Sequence, residues 1–150
     1  DNIAMSYLSQ KFNLSHNWFE NIMMQRENQT EWMSKIIIEN SNNMQVNILG
    51  KTFKAETNLT LGSPAILLKN LLLEKGVSVN QWDPYVDGNY EKYSKLYEWD
   101  KKPQVYFIAT RHELFTKIKF FSDSVVIDPW RFMPSTNIKH KLLQIGKNII

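Results

Sequence analysis

The chain has no cysteine. Its absence excludes disulfides, a thiolate zinc site and a cysteine nucleophile among these residues, and makes a reducing cytoplasm the expected compartment. No apolar run approaches the length of a bilayer span, and nothing resembles a signal peptide, so no membrane partner is expected. Charge of one sign is also scarce: 18 Lys and Arg stand against 15 Asp and Glu, a net +3. The lysines are scattered, with no basic stripe interleaved with aromatics, so nucleic acid is not an expected partner. His16, His112 and His140 do not cluster with carboxylates at ligand spacing, so no metal site is expected. No GxSxG and no Ser/His/Asp arrangement occurs, and there are no internal repeats. What is present favours a folded domain: 43% hydrophobic and 13% aromatic residues in 150 positions, enough for one core and an appendage. A start at Asp1 rather than Met is expected of a piece of something longer.

The pattern divides the chain at residues 41–45. Residues 2–12 read as a short helix with Ile3, Met5, Leu8 and Phe12 as its apolar members. Ser15 is the expected N-cap for a second helix over 16–40. That helix carries one apolar patch at Trp18, Phe19, Ile22 and Met23 and another at Met33, Ile36 and Ile37. At ~1.5 Å per residue, roughly 25 residues span about 37 Å, more than a small domain can cover. A second domain or a second subunit is therefore the expected neighbour. Residues 1–43 form a helical segment and 44–150 a second unit.

From residue 46 strands and helices alternate. VNIL (46–49) reads as a buried strand ending at Gly50. Ser63-Pro64 reads as an N-cap with proline at the first helical position, opening a helix over 65–75 that Gly76 stops. VSVNQW (77–82) ends at Asp83-Pro84, and 85–102 is irregular and rich in Tyr and charge. VYFIAT (105–110) is a third strand, 112–118 a short helix, and SVVID (124–128) a fourth strand cut off by Pro129. A last helix is expected over 137–145. This alternation indicates a parallel α/β sheet.

Three places could carry chemistry. The loop 50–64 lies at a strand's C-terminal end beside a helix N-terminus, where backbone N–H groups collect phosphates, and Lys51 and Lys54 add cations. A solvated loop accounts for the same spacing. Asp83 stands where such a unit meets a ribose hydroxyl, or merely ends a strand in an Asp-Pro turn. In Asp128-Pro129-Trp130-Arg131, Trp130 could stack on a base and Arg131 could reach a nucleotide; an edge aromatic with a surface Arg is the plainer alternative. His112 reads as a first-turn helix residue.

Taken in order, VNILGKTFK (46–54), Thr57 to Ser63-Pro64, AILLKNLLLEKG (65–76), WDPYV (82–86), IATRHELF (108–115) and VVIDPWR (125–131) resemble the C-terminal domain of the UDP-glucose/GDP-mannose dehydrogenase family. The upstream helix with Asn28-Gln29 resembles that family's central dimerisation helix. The resemblance implies a Rossmann-like open parallel sheet that binds the nucleotide sugar, a UDP-sugar before a GDP-sugar, preceded by a long helix that makes a homodimer. It implies that the whole protein oxidises the sugar C6 alcohol to a carboxylate with NAD, which a preceding domain binds, through a catalytic cysteine. The family's cysteine motif ends in Lys-Asp, so Asp1 matches the acid associated with the catalytic water and the chain starts just after the cysteine.

Residue by residue, the resemblance assigns Phe53 and Lys54 to substrate binding, Lys54 on the sugar or diphosphate. Trp130 occupies the place of a family Arg that reaches the substrate, and Arg131 follows it. The family's Thr-Arg-Glu-Ser before the helix reads here Thr60-Leu61-Gly62-Ser63. Leu61 thus replaces an Arg that reaches the NAD phosphates, and leucine makes no such hydrogen bonds. Two functions follow: part of an NAD-dependent nucleotide-sugar 6-dehydrogenase, or a non-catalytic nucleotide-sugar-binding or assembly module that has lost NAD. A ligand-free interaction domain is a third.

Overall fold

Strand positions follow from where the chain is apolar on both faces. The computed structural model describes residues 1–88, 102–136 and 138–146. Its strands are β1 (Val46–Leu49), β2 (Val79–Trp82), β3 (Val105–Ile108), β4 (Val125–Asp128) and β5 (Lys141–Gln144). They form one parallel sheet in the order β2-β1-β3-β4-β5. Every residue of β1, β3 and β4 is buried, as central parallel strands require, while the edge strands are partly exposed. Register sets Leu49 against both Trp82 and Ile108, so these strands end at one edge.

The helices are α1 (Asn2–Lys11), α2 (Trp18–Ser41) and α3 (Pro64–Glu74). Ser63 caps α3 by accepting from Ala65 N, with Pro64 at the first turn. One sheet face packs Ile48, Phe107 and Ile127 with Leu68 and Leu72 of α3 and Ile37 of α2. The other packs Leu49, Tyr106, Ile108 and Val126 with Phe115. The second half of α2 therefore belongs to the core. Its first half lies against α1, and Trp18, Ile22 and Met24 stay exposed. Asn42, with φ 44°, ends α2 in the left-handed conformation. No helix among the described residues is long and apolar enough to cross a membrane.

Three local expectations are corrected. The cap of α2 is Asn17, not Ser15: Asn17 Oδ1 accepts from Glu20 N, and its amide donates to Ser6 Oγ at 2.8 Å, which ties α2 to α1. The helix expected at 112–118 is a 3-10 helix, Glu113–Lys117. The helix expected over 137–145 is instead strand β5, paired to β4 from Val125–Lys141 to Asp128–Gln144. Two adjacent leucines suit either conformation, and the open ladder of β4 decides between them. Residue 137 and most of the irregular segment, 89–101, lie outside the described residues.

Candidate functional site

The strand order places β2 and β3 on opposite sides of β1, so the chain leaves β1 and β3 in diverging directions. Such a divergence opens a crevice at the C-terminal edge of the sheet. A cleft of about 460 Å³ is found there, within the range of small-molecule sites. Thr52 and Phe53 line it after β1, Ala109 after β3, and Pro129 and Trp130 after β4. The start of α3, Ser63 to Ala65, forms one wall, and α2 covers it with Arg26, Gln29, Trp32 and Met33. The α2 residues were not read as site residues in the sequence, because nothing local says which helical face meets a crevice formed by distant strands.

Gly50 makes the close approach of β1 and β3 possible. Its φ is +114°, and a Cβ there would lie 2.5 Å from Thr110 Oγ1 and 2.7 Å from Thr110 N. Thr110 Oγ1 then donates to Thr52 O at 2.9 Å, joining the two loops.

Trp130 is held at the rim. Its indole Nε1 donates to Ile108 O at 3.0 Å, and the Arg111 guanidinium lies 5.3 Å from its ring centre. The backbone that carries it is fixed by Asp128, which is fully buried and accepts from Trp130 N, Phe132 N and Met133 N. Arg131 is not among the lining residues. Its φ is +57°, and its Nε donates to Ile145 O at 2.9 Å.

Asp83 ends β2 as the turn reading holds. Both carboxylate oxygens are used within the chain. Oδ1 accepts from Tyr85 N. Oδ2 accepts from Lys51 N at 2.7 Å, Thr52 N at 3.1 Å and Thr52 Oγ1, and lies 3.0 Å from His112 Nε2. Burial opposes its ionisation, but the His112 hydrogen bond and the Lys51 and Thr52 N–H groups outweigh it and hold the carboxyl below the ordinary aspartate range. Two consequences correct the sequence reading. Asp83 is not presented to a ribose. The first N–H groups of the 50–64 loop are also closed to phosphate, because a carboxylate already occupies them. The backbone attraction for an anion that remains is the N-terminal dipole of α3.

Of the cations in that loop, Lys51 pairs with Asp87 at 2.6 Å. Lys54 is exposed, with no side-chain hydrogen bond or ion pair among the described residues. Asp1 accepts from Ile3 N and Ala4 N as the cap of α1 and does not line the cleft. Phe53 and Trp130 are thus the expected site residues that the fold brings together in the cleft.

The residues described do not fit a dinucleotide. The loop after β1 has its N–H groups closed by Asp83, and Leu61 is 94% exposed in a turn with no cation in its place. No group of three or more His, Cys, Asp or Glu placed to hold a metal occurs among the described residues. His112 was missed as a site residue: it is fully buried beneath the loop, and no sequence signal links it to Asp83.

Residues 47–135 match the UDP-glucose/GDP-mannose dehydrogenase family, UDP binding domain. No curated protein matches the chain. Among solved structures, GDP-mannose dehydrogenase from Pseudomonas aeruginosa superposes with a TM-score of 0.73 at 23% identity, over 95% of this chain and 37% of that one. UDP-glucose dehydrogenase from the hyperthermophilic archaeon Pyrobaculum islandicum gives 0.70 at 17%, over 95% and 35%. UDP-D-ManNAc dehydrogenase from Pyrococcus horikoshii gives 0.51 at 20%, over 83% and 31%. At these identities the likeness is one of fold, and the chain spans about a third of each.

Proposed function

Because the chain belongs to the UDP-glucose/GDP-mannose dehydrogenase family through its UDP binding domain, we propose that it is the C-terminal part of an NAD-dependent nucleotide-sugar 6-dehydrogenase of the cytoplasm, and that its cleft binds the nucleotide sugar. The observation that carries this reading is the meeting of Phe53, Trp130 and the start of α3 around one cleft at the diverging strand ends. Trp130 offers an aromatic face to a base, and the α3 dipole favours a diphosphate. Lys54 stands exposed one residue from Phe53 and supplies the cation. Arg131 takes a secondary place, since it must release Ile145 O to reach the ligand. The family description, a UDP binding domain, supports a UDP-sugar over a GDP-sugar.

In this reading residues 1–43 make the homodimer and 44–150 bind the ligand. NAD belongs to a preceding domain of the longer protein, a placement that the poor fit of these residues to a dinucleotide supports. Asp1 is assigned to the catalytic water of that longer protein, with capping of α1 fixing its carboxylate.

Calorimetry of the chain with UDP-glucose and with GDP-mannose tests the ligand. Binding of UDP-glucose, weakened when Trp130 is replaced by Ala, is expected. Binding of neither sugar nucleotide by this chain or by the longer protein would sink the reading. The purified chain is expected not to reduce NAD with either. The alternative, a binding or assembly module without NAD, is favoured by one observation, Leu61 in the place of the family Arg. The longer protein separates the two readings: NAD reduction with a nucleotide sugar supports the enzyme, and binding without reduction supports the module.

A further inference from the structure

His112 meets the β1–α3 loop at Glu56 N and at Thr52 Oγ1, the latter 3.1 Å from its Nε2, and reaches it again through Asp83 at the end of β2. Its Nδ1 lies 3.1 Å from Glu56 N, and its Nε2 lies 3.0 Å from Asp83 Oδ2, the oxygen that holds Lys51 N and Thr52 N. A backbone N–H can only donate, so Nδ1 is the bare nitrogen of the ring. An uncharged imidazole with bare Nδ1 carries its proton on Nε2, where it donates to the Asp83 carboxylate. Thr52 Oγ1, 3.1 Å from the same Asp83 oxygen, adds a fourth donor. Tyr85 stacks on the ring at 4.9 Å and Phe115 meets it edge-on.

Between the two clipped points lie Phe53 and Lys54. The loop closes on itself through a hydrogen bond from Phe53 N to Leu59 O at 2.7 Å. Glu56 sits at φ +57°, a conformation that needs external support. Among the described residues the 112–113 segment supplies it: His112 Nδ1 accepts from Glu56 N, and Glu56 Oε1 accepts from Glu113 N at 3.1 Å.

We propose that His112 is a positioning residue for the nucleotide-sugar cleft: its neutral imidazole clips the loop 51–56 to the sheet at both ends and so sets where Phe53 and Lys54 stand. The ligand in this statement rests on the proposed function; the clip itself does not. Among the described residues, Asp83 anchors one end and His112 spans both. The charged group nearest to Nδ1 is the Glu56 carboxylate, 3.8 Å away.

Two isosteres separate the two contacts. In His112→Asn the side-chain oxygen takes the place of Nδ1 and can still accept from Glu56 N. In His112→Gln the side-chain nitrogen takes the place of Nε2 and can still donate to Asp83, but Glu56 N is released. UDP-glucose affinity is expected to fall roughly tenfold in His112→Gln, the scale of one hydrogen bond lost, and by less than about threefold in His112→Asn. Amide exchange at Glu56 is expected to accelerate in His112→Gln only. In the wild type, nitrogen NMR should find Nε2 protonated and Nδ1 bare, and Glu56 N–H protected from exchange. Equal losses in both variants, the reverse order, a protonated Nδ1 or an unprotected Glu56 amide would each overturn the clip. Should the variants not fold, the two wild-type measurements decide. If UDP-glucose does not bind the wild type, the proposed function fails, and the tautomer and exchange data still decide the clip.

Discussion

Asp83 Oδ2 and His112 Nε2 lie 3.0 Å apart, 29 positions apart in the chain, and neither side chain is exposed. The pair joins the end of β2 to the loop after β3, with the loop after β1 held between them. Asp83 takes the loop's first N–H groups, Lys51 N and Thr52 N, and so removes them from ligand binding.

Stability should report this pair through pH. The Asp83 carboxyl is held below its ordinary value of 3.8, so its contribution is fully present above that pH and is lost as pH falls through the folded value. The urea midpoint should therefore decline below about pH 4 in the wild type. Asp83→Asn should lower stability by about 2–3 kcal/mol at pH 7, the range for a hydrogen-bonded buried charge, and should flatten that acid limb. An unchanged acid limb would show that Asp83 does not titrate in this window.

Gly50 and Gly62 both have positive φ, at +114° and +72°, but only Gly50 has a neighbour in the way. Gly62→Ala should cost about 1–2 kcal/mol, from backbone conformation alone. Gly50→Ala adds overpacking against Thr110 and should cost roughly 2–5 kcal/mol. Denaturant unfolding of both variants compares them, and equal costs would mean that the two loops can separate freely.

Lys54 and Lys51 should differ in ligand binding although they stand three positions apart. Lys54→Ala should weaken UDP-glucose by roughly 1–3 kcal/mol, the loss of a charge-assisted hydrogen bond. Lys51→Ala should change affinity by less than about 0.5 kcal/mol, because its ammonium is already paired with Asp87. Titration calorimetry reads both, and equal affinities for Lys54→Ala and wild type would remove Lys54 from the site.

Trp130 and Arg131 should differ in the same assay. Trp130→Ala should weaken binding by roughly 1–3 kcal/mol if a base stacks on the indole. Arg131→Ala should leave affinity nearly unchanged, since its guanidinium is turned to Ile145 O. The opposite order would place the ligand on the β5 side of the cleft.

The exposed first half of α2 should carry the homodimer. Ile22 is 49% exposed and outside both core clusters, so Ile22→Glu should fold normally. Sedimentation is expected to find a wild-type dimer and a monomeric variant. A wild-type monomer would end the assignment of residues 1–43 to assembly.

The central strands were legible because β1, β3 and β4 are buried on both faces and read as short, mostly apolar runs. The start of α3 was legible because Ser63-Pro64 acts within one turn. β5 was not, since Leu142 and Leu143 suit a helix as well as a strand, and only pairing with β4 selects between them. His112 was not, since its two partners come from the end of another strand and from a different loop.

The sequence by itself determined what acts over a few residues: the central strands, the Ser63-Pro64 start of α3, the aromatic and cationic residues carried on each loop, and the ordered motifs of the family. Tertiary structure alone decided which of those residues face the cleft. Trp130 lines it while Arg131 turns to Ile145 O, Lys51 is drawn to Asp87 while Lys54 stays exposed, and Asp83 closes the loop that it seemed placed to share with a ligand. The reason is physical. A buried polar group takes whichever partner packing brings within about 3 Å, and sequence neighbours do not fix that choice.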